Sequence, residues 1–395
     1  MIKQNIISCC WPRRSPYHNA SKLLTIALLA VNAIWIVPQV SKPDRIPENY
    51  KFSFPTVDER IKYYMGSWFN RSIINTEINC SEFPFYTSGM RWHDQAYLFN
   101  ATNLMVAQTD GFLDLTKGNF LEYHNHVLLY YLPKSPITGY RMITTFGDSS
   151  GNPNFPLVSK ARHAQGQVSQ NSNDNRNDPI LAYYQTDRHF SEPLGKLKKM
   201  SIPWHEKKNQ LIWRGAPTGQ ERRLNVVKMF QNSNKTDIDI AFDLRNHRMA
   251  QMFQPPISKD LFAERIKIPQ QLQYKYLLSL EGNDVATGLK WMLYSNSVVL
   301  MPTPTVVSWA MEDQLVPFYH YIPLHQNATN LETMLQWARQ HDEECQVIAR
   351  QATQFMQDLW MSEKAQHDNE IILTKMVTSY HNQFGDALAQ CPPPM

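Results

Sequence analysis

The hydrophobic pattern of this chain changes period several times. Its longest apolar run is Leu23–Val37, LLTIALLAVNAIWIV. Extended to Val40, the run approaches the roughly 20 residues that cross a bilayer as a helix. Lys3, Arg13, Arg14 and Lys22 precede it without an acidic residue, whereas Lys42 and Arg45 follow it mixed with Asp44 and Glu48. The excess of positive charge before the run predicts residues 1–22 as a cytosolic tail and 23–40 as a transmembrane signal-anchor. The rest of the chain is then expected across the membrane. A cleaved signal peptide is the rival, but no small-x-small site follows the run.

Residues 41–57 are polar and proline-bearing and read as a stem. Thr56-Val-Asp-Glu59 is a capping-box pattern that opens a helix with Ile61, Met65, Trp68 and Phe69 on one stripe. Val127–Leu132 and Tyr140–Phe146 read as short strands, and Gln165–Asp178, rich in Asn, Gln and Ser, as a loop. From Pro203 onward, strand and helix patterns alternate. Strands are expected at Gln210–Trp213, Ile238–Phe242, Tyr274–Leu280 and Ser297–Met301. Helices are expected at Arg222–Phe230, Val285–Tyr294 and Asn330–Gln340, with two more around Asp342–Leu359 and Lys364–Tyr380. Such alternation predicts βαβ units and a parallel sheet. The boundaries read from these shifts are a first domain over 58–195, a second over 196–345, and closing C-terminal helices over 346–395.

Composition changes this picture little. With 395 residues, 43% hydrophobic and 19% charged, the chain is long enough for two domains and ordinary for a globular protein. A net charge of +4 without a long basic run gives no nucleic-acid footprint. The five cysteines, Cys9, Cys10, Cys80, Cys345 and Cys391, have no zinc-site spacing and suggest no disulfide framework, with at most one bridge expected among Cys80, Cys345 and Cys391. Sequons at Asn70, Asn100, Asn234 and Asn327, with a weaker one at Asn79, agree with a lumenal location.

Two segments carry chemistry. Trp213-Arg-Gly-Ala-Pro-Thr-Gly-Gln-Glu-Arg-Arg223 follows a strand and precedes a helix, the setting in which backbone N–H groups face an anion. Arg214 adds a guanidinium fork suited to phosphate. The second, Tyr274–Lys290, places a small-residue turn between strand and helix. There Asn283, Asp284 and Thr287 offer polar contacts to a ribose, sugar or phosphate. Gly282 and Gly288 permit close backbone approach. Each segment alone is equally a plain strand–turn–helix connection.

The pieces WRGAPTGQERR, YKYLLSLEGND, LKWMLYSNSVVLMP and VPFYHYIPL occur in this order. Together they resemble the capsule-associated-protein type of glycosyltransferase, glycosyltransferase family 90. That group includes fungal capsule xylosyltransferases, lipopolysaccharide-modifying transferases and lumenal protein O-glucosyltransferases. The similarity runs from about Asp58 to Met356 and is strongest from Trp204 onward.

The resemblance implies an α/β chain of GT-B type, with two facing Rossmann-like domains, the first on the acceptor side and the second on the donor side, and closing C-terminal helices that pack back on the first. It implies an inverting transfer of a sugar from a nucleoside diphosphate, expected to be UDP, to a hydroxyl of a glycan or glycoprotein. A catalytically silent glycan-binding protein on the same fold is the rival. The family needs no metal, so no cofactor is expected, and Asp237-Ile-Asp239 reads as a strand entry rather than a metal motif. The donor side is expected to involve Arg214, Gly215, Arg222, Lys275, the turn Gly282, Asn283, Asp284, Val285, Ala286, Thr287 and Gly288, and Lys290. Protein O-glucosyltransferases carry an arginine where this chain has Gly288, so that donor contact is either missing here or supplied by Arg222 or Lys290.

Arg141-Met-Ile-Thr-Thr-Phe-Gly-Asp148 resembles the family strand that ends in the catalytic aspartate, so Asp148 is the expected base, with Asp187 next in line. Lys160, Arg162 and His320 are further cleft candidates. The expected setting is a single-pass type II membrane protein of the Golgi, since no KDEL-like ending occurs, or else of the ER. In a bacterium the same anchor would place the catalytic part on the periplasmic side.

Overall fold

A computed structural model describes residues 50–69, 96–100, 105–108, 111–114, 141–145, 156–164, 178–182, 194–219, 221–231 and 236–389. The anchor segment 23–40, Val127–Leu132, Asp148, Asp187, Asn70, Asn79 and Asn234 lie outside them. No helix among the described residues is long and apolar enough to cross a membrane.

The chain begins its described part with aromatic packing. Phe52 and Phe54, at the end of the segment read as a stem, pack against the core beside Phe355. Helix α1 (Val57–Met65) then starts at the predicted capping box. Thr56 Oγ1 accepts from the Glu59 backbone N–H at 3.3 Å, and Glu59 returns the bond to the Thr56 N–H at 2.8 Å. Ile61, Met65 and Trp68 are buried, as their stripe requires.

Two six-stranded sheets follow. The first contains β1 (Ala96–Asn100), β2 (Met105–Gln108), β3 (Gly111–Asp114), β4 (Arg141–Thr145), β5 (Leu157–Ser159) and β7 (Ile180–Leu181), in the order β3-β2-β1-β4-β5-β7. Its β1–β3 part is antiparallel, and β4, β5 and β7 run parallel. A short strand β6 (Ala161–His163) leaves this sheet and pairs elsewhere, as described below.

After α2 (Leu194–Met200), the second sheet is parallel throughout. It contains β8 (Lys208–Gly215), β9 (Ile238–Asp243), β10 (Phe262–Ala263), β11 (Tyr274–Leu278), β12 (Val298–Pro302) and β14 (Ile322–Leu324). Its order, β10-β9-β8-β11-β12-β14, builds outward from β8 to one side and then returns to β8 with β11. This is the doubly wound, Rossmann-type order, and its reversal point lies between β8 and β11. The apolar runs explain the burial: Leu211–Trp213, Tyr276–Leu278 and Val298–Met301 are covered on both faces.

Helix α3 (Glu221–Gln231) connects β8 to β9. Helix α4 (Leu289–Leu293) is shorter than the Val285–Tyr294 helix read from the sequence. Val285 and Ala286 are buried in a turn instead, and the helix begins only after Gly288. A strand β13 (Val306–Ser308) pairs antiparallel with β6, stitching the first half of the chain to the second. Helices α5 (Leu331–Gln340) and α6 (Asp342–Met356) close the sheet, and a π-turn at Gln357–Met361 leads into α7 (Glu363–Ala389). Helix α7 returns to the first half. Tyr380 Oη accepts from the Ile143 N–H at 3.0 Å and donates to the Pro156 carbonyl at 2.8 Å. Cys345 is a free, buried thiol that burial pushes up to about 12.

Candidate active site

A cleft of about 570 Å³ opens at the C-terminal ends of β8, β9 and β11. That is where open α/β sheets bind ligands, because loops on either side of the reversal point diverge and leave a crevice. The volume lies in the range of small-molecule sites. Its charged lining is mainly cationic: Lys160, Arg214, Arg223, Arg245, Arg265 and Lys267 against Asp243 and Asp284.

Two loops form the floor. The loop after β8 and the turn after β11 are locked together. Asn283 Oδ1 accepts from the Gly219 N–H at 3.0 Å. Arg223 donates from Nε to Glu281 O at 3.0 Å, from Nη2 to Leu280 O at 2.7 Å, and from Nη1 to Ala216 O at 3.1 Å and Thr218 Oγ1 at 2.7 Å. Burial lowers this guanidinium to about 10, against the pull of Asp284 and Glu281. Glycine is required where the loops meet. Gly219 has φ +82°, and a Cβ there would lie 2.9 Å from the carbonyl oxygens of Glu281 and Gly282.

Arg214, the penultimate residue of β8, has its side chain 7% exposed and paired to Asp239 at 2.7 Å. Its Nε donates to Glu264 O at 3.2 Å, so the cation is fixed before any ligand arrives. Asp239 and Asp237 are both spent on arginines, the latter on Arg339 at 2.6 Å. β9 begins at Ile238, which bears out the reading of this segment as a strand entry. At the end of β9, Arg245 clasps Asp243 at 2.6 Å. Burial pushes the Asp243 carboxyl up, but the bonds from Arg245 outweigh it and hold the group below its usual range.

The residues expected from the sequence divide cleanly. Arg214, Gly215, Gly282, Asn283, Asp284, Val285, Ala286, Thr287, Gly288 and Lys160 line the cleft. Arg222, Lys275, Lys290, Arg162 and His320 are not among its lining residues. Arg222 is half exposed and bonded to Glu281 at 2.7 Å. Lys275 sits near the opposite, N-terminal end of β11, paired to Asp342 at 2.6 Å and 5.0 Å from the Trp204 ring. Lys290 is fully buried against Glu312 at 2.8 Å. Neither Arg222 nor Lys290 lines the cleft beside Gly288. Arg162 is buried and donates to the carbonyls of Tyr63, Tyr64 and Pro179. It satisfies acceptors left open at the end of α1, where a cation is also favoured by the helix dipole.

Arg223, Asp243, Arg245, Arg265 and Lys267 were missed. For Arg223 a signal existed. It precedes the buried Val226, Val227 and Phe230 at i+3, i+4 and i+7, so it shares the inward face of α3. Arg222 lies off that face. Arg265 and Lys267 come from an irregular segment after β10, which has no period to read. Asn327, by contrast, is exposed as a sequon requires, with Thr329 Oγ1 donating to its Oδ1 at 2.9 Å.

His320 is 1% exposed, edge-on to Phe52 at 4.6 Å, and its Nδ1 accepts from the Val316 N–H at 2.9 Å. Burial lowers it to about 4 from an ordinary 6.5. Between those values the unfolded chain takes up a proton that the folded chain refuses. Stability present above pH 6.5 is therefore lost as the pH falls toward 4. His320→Gln keeps an acceptor but does not titrate. In urea titrations between about pH 7 and pH 4.5 it should lose about 2–3 kcal/mol less than the wild type. Equal losses would refute this.

Comparison with known proteins agrees with the site. Residues 188–377, which span β8 to α6 and most of α7, match the profile of Glycosyl transferase family 90. The chain is 32% identical over 249 residues to O-glucosyltransferase LpsA of Dichelobacter nodosus, covering 63% of this chain and 68% of that protein. It is 30% identical over 195 residues to Protein O-glucosyltransferase 2 of Danio rerio, covering 47% of this chain and 37% of that one. With Protein O-glucosyltransferase 1 of Homo sapiens it shares 24% over 156 residues, covering 40% of this chain and 38% of that one. With a doubly wound sheet, a cationic cleft at its reversal point and this similarity, the chain belongs to glycosyltransferase family 90 and is a glycosyltransferase.

Proposed function

We propose that this chain transfers a sugar, with inversion, from a nucleoside diphosphate to a hydroxyl of a glycan or protein. The observation that carries the reading is the cationic cleft at the β8–β11 reversal point. A diphosphate needs cations and N–H donors there, and a planar base needs the apolar wall that Trp213, Ile266, Ile268 and Trp291 supply. UDP is the proposed nucleotide. Glucose is the proposed sugar, supported by the names of the relatives. The reaction is proposed to need no metal. The two sheets are read as the facing halves of a GT-B enzyme, with the acceptor bound from the first half and Asp148 as base.

Residues 23–40 are proposed to anchor the enzyme with its catalytic part in the Golgi or ER lumen, or outside the inner membrane of a bacterium. Protease protection of a C-terminal tag in sealed vesicles tests that orientation, and digestion without detergent would reject it.

Calorimetric titration of the full chain with nucleoside diphosphates tests the donor reading. Binding of UDP at micromolar levels is expected, and no binding by any of the common diphosphates would reject it. Arg214→Ala should weaken UDP binding by roughly tenfold to a hundredfold, because a charge-assisted bond contributes roughly 1.5–3 kcal/mol. Unchanged affinity on folded protein would remove Arg214 from the site.

A further inference from the structure

Lys160 differs from the other cations of the cleft. Arg214 is paired to Asp239 and Arg245 to Asp243, and Arg223 ties the two floor loops to one another. Arg265 and Lys267 are exposed at the rim. Among the described lining residues, Lys160 is the one contributed by the half of the chain before β8. It occupies the single position between β5 and β6. Before it, β5 is held between β4 and β7. After it, β6 is paired with β13, and the Ala164 N–H donates to Thr305 O at 2.9 Å. The backbone on both sides is therefore fixed to different sheets.

The Lys160 ammonium crosses to the turn after β11 and pairs with Asp284 at 2.5 Å, each side chain 7% exposed. That turn is itself rigid, with the Gly282 N–H donating to Asp284 O at 3.0 Å. A low-exposure ion pair that lines a ligand cleft places a cation in a weakly screened environment, where it acts strongly on a charge that develops nearby. An ammonium carries three donors, so it can bridge a carboxylate and a phosphate oxygen at once.

We propose that Lys160 is the group that receives the departing diphosphate, and that Asp284 is the positioning residue that holds it. The inference rests on the reading that a nucleoside-diphosphate sugar occupies this cleft. In the transfer, the acceptor oxygen forms a bond to the anomeric carbon and its proton passes to the general base. The bond from the anomeric carbon to the diphosphate breaks, and its electron pair stays on the terminal phosphate oxygen. The charge that appears on that oxygen is compensated by Lys160. Asp284 keeps the ammonium in place beforehand, so that no reorganisation is needed as the bond breaks.

The test compares UDP with UMP, which lacks the terminal phosphate, together with turnover on acceptor, all on the full chain. Lys160→Gln should lower turnover by about 10²–10³-fold, the loss typical of a transition-state charge stabiliser. It should weaken UDP binding by about tenfold and leave UMP binding unchanged. Lys160→Arg should recover part of the turnover. Asp284→Asn should lower turnover without weakening UMP. If Lys160→Gln does not fold, the double variant Lys160→Met with Asp284→Leu leaves no unpaired buried charge and should show the same selective loss. Turnover within threefold of wild type, or equal losses of UDP and UMP binding, would overturn the assignment of Lys160. Wild-type protein that binds neither nucleotide would overturn the donor reading, and this inference with it.

Discussion

Asp148→Asn should lower turnover with acceptor by about 10²–10⁴-fold, the usual loss when a general base is removed. The acceptor hydroxyl is a poor nucleophile until a base takes its proton. The substitution keeps size and hydrogen bonding but removes the basic oxygen. Asp148 follows β4 (Arg141–Thr145) along the chain, and β4 is the strand on which the parallel part of the first sheet begins. Gly147, Ser149 and Ser150 beside it are small, which suits close approach of a sugar. UDP affinity should stay within a few-fold, because the cations proposed to hold a diphosphate come from β8, the start of α3 and the segments after β9 and β10, and from Lys160. Calorimetry and a transfer assay on the same preparation separate the two quantities. Near-normal turnover would return Asp148 to the role of a turn-former, and Asp187 would be the next residue to test. Equal losses of turnover and affinity would indicate a structural role.

The largest effect on stability is expected at Lys290. Its ammonium is fully buried and meets Glu312 at 2.8 Å, whose side chain is 3% exposed. Glu312 also accepts from the Ser308 N–H and hydroxyl, each at 2.7 Å. Burial pushes this carboxyl up, but the charge of Lys290 and the bonds from Lys290 and Ser308 outweigh it and keep the group low. Removing one member of such a pair strands a buried charge and costs about 3–5 kcal/mol. Lys290→Met should show that loss in urea unfolding. The double variant with Glu312→Gln keeps an acceptor for Ser308 without the charge and should recover most of it. A loss below about 1 kcal/mol for Lys290→Met would show that the pair is solvated in practice. Because Lys290 is not among the residues lining the cleft, UDP affinity of the folded fraction should not change.

The sequence by itself determined the periodic elements and the two loops of the site. The capping box at Thr56, the stripe of α5 and the apolar strands β8, β9, β11 and β12 all appear near their expected bounds, because each is written in local spacing. The glycine-bearing turns after β8 and β11 were legible for the same reason, and both reach the cleft.

Long-range packing decided the rest. Whether a lysine or arginine faces a ligand depends on which element it meets across the fold, and local spacing carries no record of that. Lys290 and Lys275 stand in the same stretch as the turn, yet one is buried against Glu312 and the other lies toward the far end of β11. Arg162 caps α1, and Lys160, two residues before it, enters the cleft, because β6 leaves its sheet between them to pair with β13. The short β10, β13 and β14 have too few residues to set a period, and they exist because neighbouring strands offer them hydrogen bonds. The cleft is therefore a product of chain segments far apart in sequence, whose charges acquire a function only once the two sheets and their crossover strand are in place.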